Sequence, residues 1–174
     1  MKSIKLKNIN NFLYLSRNYN IIGLQILKSL IRINKKPSYL ILPKIKKDRK
    51  VKYNKKIFNS EKEPLEKFAR SENLKIIRVN SFNSKIILRL IKKLNIRFIF
   101  IGGGWPEIIK NKILKLPKII IINTHPSLLP NYRGADVHRW QILNNEKIFG
   151  ITFHFVDKFI DNGRIILKRK IFAS

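Results

Sequence analysis

Short apolar runs alternate along this chain with stretches whose apolar residues recur every three or four positions. The runs "FLYLS" (Phe12–Ser16), "SYLIL" (Ser38–Leu42), "KIIRV" (Lys75–Val79), "RFIFIGG" (Arg97–Gly103) and Ile119–Ile122 have the length and the β-branched or aromatic content of strands. Between them, Ile22, Leu24, Ile26, Leu27, Leu30 and Ile31 fall on one helical stripe within residues 21–33, and residues 84–94 predict another helix. "SEKEPLEKFARSEN" opens with Ser60 and Glu63 in capping-box spacing and carries Pro64 in its first turn, which predicts a helix start there. A short helix is expected after Pro106. Runs that are apolar at every position suit strands covered on both faces. "FGITFHFVD" and "RIILKRKIF" instead alternate, as strands near a sheet edge do. The pattern predicts one α/β domain over residues 1–174. Its sheet is Rossmann-like, doubly wound and mostly parallel, with helices on both faces and antiparallel closing strands near the carboxyl end.

Composition changes this picture only in places. A length of 174 residues with 44% hydrophobic content is enough for a real core. Cysteine is absent, which excludes a disulfide framework, a thiolate metal site and a cysteine nucleophile. No apolar window is long enough to span a bilayer and the start lacks a secretory pattern, so the chain reads as cytoplasmic with no membrane partner. Nothing in the sequence speaks to oligomeric state.

The formal charge of +28 points towards a polyanion, and a basic nucleic-acid-binding module is the reading from another class. Yet the chain holds 32 Ile and 3 Ala beside many Lys and Asn, the residues an AT-rich genome overproduces. The densest basic run, Lys44–Lys56, has no aromatic stacking platform and reads as a solvated loop.

The candidate chemistry lies in "IIIINTHPSLLPNYRGADVHRW", where an isoleucine run stops at Asn123 and His125. In open α/β sheets ligands bind beyond the carboxyl ends of the strands, so this polar pair is placed where ligands go. On local sequence alone, Asn-Thr-His starts a turn at least as readily.

The longer pattern resembles the folate-dependent formyltransferases. "NTHPSLLPNYRG" is similar to that family's Asn-x-His-x-Ser-Leu-Leu-Pro signature, and "GITFHFVDKFIDNG" is similar to its second signature ending in Asp-x-Gly. The 38 residues from Asn123 to Asp161 match the family's usual separation. The resemblance runs through about residues 60 to 171. Two long signatures at matching separation are far more specific than one short motif.

The resemblance implies formyl transfer from 10-formyltetrahydrofolate to the primary amine of a small, phosphorylated acceptor, with no metal. An amino-sugar nucleotide and glycinamide ribonucleotide both remain open as that acceptor, and methionyl-tRNA is the alternative. It implies Asn123, His125 and Asp161 as the catalytic trio. Asn123 and a protonated His125 would donate to the formyl oxygen, and Asp161 would raise the His125 pKa and shuttle a proton. Folate contacts are implied for Trp105, Pro106, Glu107, Ile108 and Ile109, and for Asn123 with Ser127, Leu128, Leu129 and Pro130 through the loop's main chain. The stretch Phe155–Ile160 is implied as a further wall of the pteridine pocket. Gly134 is expected to serve a backbone conformation closed to other residues. His138 and His154 read as structural or supporting side chains. "SRNYNIIG" (Ser16–Gly23) stands where glycinamide-ribonucleotide enzymes carry a Gly-rich phosphate loop, and Asn162 and Arg164 depart from the common pattern beside Asp161.

Overall fold

A computed structural model describes residues 9, 11–44 and 64–172. Seven strands form one sheet in the order β3-β2-β1-β4-β5-β6-β7. They are β1 (Phe12–Leu15), β2 (Tyr39–Pro43), β3 (Ile76–Val79), β4 (Phe98–Ile101), β5 (Ile120–His125), β6 (Ile148–Phe155) and β7 (Ile165–Phe172). The first five strands pair in parallel, whereas β5–β6 and β6–β7 pair antiparallel. Strand order therefore reverses between β1 and β4, which opens a crevice at their carboxyl ends.

Helices cover the sheet from two sides. On one face, α1 (Ile21–Arg32) and α2 (Leu65–Ser71) bring Leu24, Leu27, Leu65 and Ala69 onto Phe12, Tyr14, Leu40 and Leu42. On the other, α3 (Lys85–Lys93) and α4 (Asn111–Leu114) lay Ile87, Ile91 and Ile113 over Leu13, Leu15, Ile41, Ile99 and Ile121. α3 shows why the periodicity was legible. Ser84 caps it by accepting from the Ile87 N–H, and Ile87 and Ile91, four residues apart, share its buried face. α5 (Val137–Leu143) buries Val137 and Gln141 and leaves Trp140 exposed.

Two differences from the expected pattern matter. β5 does not stop at Ile122; it continues as a strand through Asn123, Thr124 and His125. Paired to β6 in register Asn123↔His154 and His125↔Thr152, those polar residues find cross-strand partners instead of opening a turn. The second helix begins at Leu65, with Pro64 as its N-cap. The expected capping box at Ser60 and Glu63, and Lys44–Lys56 beyond Lys44 itself, lie outside the described residues.

β6 alternates as foreseen, with Gly150, Thr152 and His154 buried and the intervening apolar residues half-buried. β7 is the edge strand, and every one of its residues is exposed. The turn between them is tight at Gly163, where an added Cβ would stand 1.7 Å from the Phe155 carbonyl oxygen. Backbone cannot yield to that overlap as a side chain can. Gly163→Ala is expected to cost about 2 kcal/mol, a fall of about 4–8 °C in Tm measured by calorimetry.

Candidate active site

Three polar side chains meet at the carboxyl end of β5. Asn123 and His125 are two residues apart on one strand, so the pleat points both to the same face. Asp161 reaches them from the β6–β7 turn, where its backbone takes a left-handed φ of 45°. Its Oδ1 accepts from Asn123 Nδ2 at 3.3 Å, and its Oδ2 lies 3.3 Å from His125 Nδ1 and accepts from the Gly134 N–H at 2.8 Å. His154, opposite Asn123 on β6, adds its Nε2 at 3.1 Å from Asn123 Nδ2 and 3.5 Å from Asp161 Oδ1. The sequence signatures thus converge on one carboxylate.

The loop from Ser127 to Asp136 closes over this group. His125 Nε2 donates to the Tyr132 carbonyl at 2.6 Å, which requires the proton on Nε2 because a carbonyl only accepts. Tyr132, Gly134 and Asp136 all have positive φ. At Gly134, φ is 92° and an added Cβ would meet nothing within 4 Å, so conformation and not space demands glycine.

His125 is only 3% exposed, so burial weighs heavily on its pKa. Desolvation pushes its pKa down and outweighs the Tyr132 carbonyl and the Asp161 charge, which both raise it. Asp161 acts on His125 in the direction the sequence suggests, but burial is the larger influence and leaves the His125 pKa lowered. Asp161 stays ionised. Burial works to raise its carboxyl, but the polar groups around it, the Gly134 N–H among them, outweigh that and hold it below the usual carboxylate range.

The other predicted site residues fall into three groups. Trp105 packs edge-on against Phe82, 5.9 Å between ring centroids, and Ile109 is buried in the same core cluster. Glu107 is tied inward: its carboxylate accepts from Ser81 Oγ, the Phe82 N–H and Asn83 Nδ2 at 2.6–2.7 Å, which joins the β4–α4 loop to the start of α3. Pro106 and Ile108 are exposed.

Ser127, Leu128, Leu129 and Pro130 form a loop whose main chain is largely engaged by the protein itself. Thr152 Oγ1 donates to the Ser127 carbonyl and accepts from the Leu129 N–H, Lys168 Nζ donates to the Leu129 carbonyl, and the Leu128 carbonyl accepts from the Asn131 N–H. These residues shape the loop. The Phe155–Ile160 stretch divides in the same way, with Val156 packed against the core and Phe159 and Ile160 exposed. His138 is exposed on α5.

The roles of Thr152 and Tyr132 were not read from the sequence. Thr152 carried a usable signal, standing two residues before His154 and so on the same buried face of β6; Tyr132 acts through its main-chain carbonyl, which no side-chain pattern announces. Among the described residues, no helix is long and apolar enough to cross a membrane, and no group of three His, Cys, Asp or Glu side chains could hold a metal ion.

Comparisons with known proteins bear on the fold and the family. Solved structures superpose across nearly the whole chain. Phosphoribosylglycinamide formyltransferase from Bacillus halodurans gives a TM-score of 0.71 at 18% identity, covering 95% of this chain and 81% of that one. Formyltetrahydrofolate deformylase from Pseudomonas syringae pv. tomato gives 0.69 at 16% identity, covering 95% of this chain and 52% of that one. These likenesses establish the fold.

In sequence, methionyl-tRNA formyltransferase from Caldanaerobacter subterraneus subsp. tengcongensis is 38% identical over 109 residues, which is 62% of this chain and 35% of that protein. The enzyme of the same name from Clostridium tetani is 38% identical over 106 residues, 60% of this chain and 34% of that protein. The chain spans about a third of the length of these curated relatives. A family profile described as formyl transferase matches residues 44–173 and takes in the whole Asn123–His125–Asp161 arrangement, so the chain belongs to the formyl transferase family.

Proposed function

We propose that this chain transfers a formyl group from 10-formyltetrahydrofolate to a primary amine. The observation that supports this most is the meeting of Asn123, His125 and Asp161 at the carboxyl end of β5. The donor supplies a carbonyl carbon bonded to nitrogen, which an amine attacks without help from a protein nucleophile. Three tasks are then left to the chain. It must donate a hydrogen bond to the formyl oxygen, accept the proton that the amine sheds, and return that proton to the departing nitrogen.

Asn123 suits the first task. Of its two Nδ2 contacts, the 3.3 Å one to Asp161 is the longer, and that hydrogen is the one to turn towards an incoming oxygen. His125 and Asp161 suit the other two. With Nε2–H held by Tyr132, Nδ1 and the Asp161 carboxylate 3.3 Å from it form the pair that takes up the amine's proton and gives it back.

The acceptor in this reading is small and phosphorylated. α1 begins at the carboxyl end of β1, where Asn20 Oδ1 caps it through the Gly23 N–H at 2.6 Å, and Gly104 lies against the side chains of Asn20 and Arg17. The first turn of a 12-residue helix with an arginine alongside suits a phosphate. A second reading, methionyl-tRNA as acceptor, draws support from the methionyl-tRNA formyltransferases that are 38% identical to this chain.

Incubation with the formyl donor and each of an amino-sugar nucleotide, glycinamide ribonucleotide and methionyl-tRNA, followed by mass spectrometry, separates these readings. A gain of one formyl group on a small phosphorylated amine is expected. Formylation of methionyl-tRNA alone would favour the second reading, and no transfer to any amine would remove the activity.

Two further outcomes follow from the geometry. His125→Ala should lower kcat by about 100- to 10,000-fold while the circular dichroism spectrum is retained. Because burial lowers the His125 pKa, its imidazole signals in an NMR titration should move below the ordinary value of about 6.5. The acid fall of kcat/KM should lie below that value too, since a proton on Nδ1 closes the acceptor. Asp161→Asn removes a charge that raises the pKa, so the same titration should shift lower still.

A further inference from the structure

His154 is as enclosed as the core at 1% exposure, and none of the three chemical tasks uses it. Its surroundings dictate its protonation. Nδ1 lies 2.8 Å from the Phe155 carbonyl oxygen, an atom that only accepts, so Nδ1 carries a proton. Nε2 lies 3.1 Å from Asn123 Nδ2.

The orientation of the Asn123 amide is set independently. The atom 3.3 Å from Asp161 Oδ1 must be the NH₂, since the amide oxygen there would face a carboxylate oxygen. Facing a donor, Nε2 must be the acceptor. A proton on Nε2 would oppose Asn123 Nδ2, and turning the amide over to relieve this would set two oxygens against each other at Asp161. The 3.5 Å contact of Nε2 with Asp161 Oδ1 is the longer one and does not decide the matter.

We propose that His154, as its neutral Nδ1–H tautomer, is a positioning residue that holds the Asn123 amide in the orientation needed for formyl transfer. This rests on the formyl-transfer reading above and goes beyond it by assigning a role to a side chain that never meets the reacting atoms. Cross-strand pairing delivers it. Asn123 and His154 are direct partners in the β5–β6 ladder, and an irregularity in the β6–β7 pairing falls between Phe153 and His154. The ring also stands edge-on to that of His125, 6.3 Å between centroids, so it braces both members of the strand pair.

The arrangement divides the work of the two amide hydrogens. One is anchored on His154 at 3.1 Å, and the other, on the longer contact to Asp161, is left for the formyl oxygen. Loss of the anchor allows the amide to rotate, which costs rate more than binding.

The test compares His154→Leu, which removes the acceptor, with His154→Gln, whose amide oxygen can stand near the position of Nε2. His154→Leu should lower kcat roughly 10- to 100-fold with little change in KM for the formyl donor, and His154→Gln should recover most of the loss. In an Asn123→Ala background, His154→Leu should add less than about a twofold further loss, because the group it positions is gone. Equal losses in the Leu and Gln variants, or fully additive losses with Asn123→Ala, would overturn the proposal.

Nitrogen-15 NMR of the unmodified protein gives a readout that needs neither activity nor a folded variant. The His154 ring should show a protonated Nδ1 and a bare Nε2. An Nε2–H tautomer or an imidazolium at neutral pH would refute the assignment even if formyl transfer is confirmed. An inactive wild-type chain with the Nδ1–H tautomer would instead fault the formyl-transfer reading and leave the positioning geometry standing.

Discussion

A buried carboxylate must be satisfied or it will not stay charged, and that requirement organises this site. Removing such a charge from water costs several kcal/mol unless donors replace the lost hydration. Asp161 meets the cost with the Gly134 N–H and the Asn123 amide, and the rings of His125 and His154 stand beside it at 3.3 and 3.5 Å. The bent loop around Tyr132 and Gly134, the end of β5, the end of β6 and the β6–β7 turn are thereby brought together. The left-handed backbone at Asp161 and the close approach of Gly163 to the Phe155 carbonyl are the local consequences.

The same requirement explains a strand that ends in Asn-Thr-His. The two-residue period of a strand sends Asn123 and His125 to one face and Thr124 to the other. On that face the isoleucine core of α3 and α4 gives way to Thr152 and His154 of β6, so polar side chains continue the strand without being stranded among apolar ones. The two apolar clusters lie mostly on the sheet's parallel half, and the candidate site lies where the antiparallel pairing begins. Between them β5 belongs to both, apolar at its start and polar at its end.

How much of this was legible depended on how far each cause lay along the chain. The strands and helices could be read locally, since runs such as Ile119–Ile122 and the Ile87–Ile91 spacing reflect nothing but burial period. The end of β5 could not, because what keeps Asn123 and His125 in a strand is a partner about 30 residues away. Opposite charge between Asp161 and His125 was visible from the motifs, whereas the burial that outweighs it was not. Glu107 stands beside Trp105 in the sequence, yet its carboxylate is spent on Ser81 and Asn83, about 25 residues earlier. His154 was seen as a supporting residue; only the strand register sets it beside Asn123.

The central claim is that the Asp161 carboxylate assembles the amide and imidazole groups into a device for formyl transfer. The most direct measurement is single-turnover transfer of an isotopically labelled formyl group to an acceptor amine by the wild-type chain and by Asp161→Asn, which keeps the shape and removes the charge. The account predicts labelled product from the wild type and a rate lower by about 100-fold or more in the variant. An Asp161→Asn chain that transfers the label at the wild-type rate would contradict it.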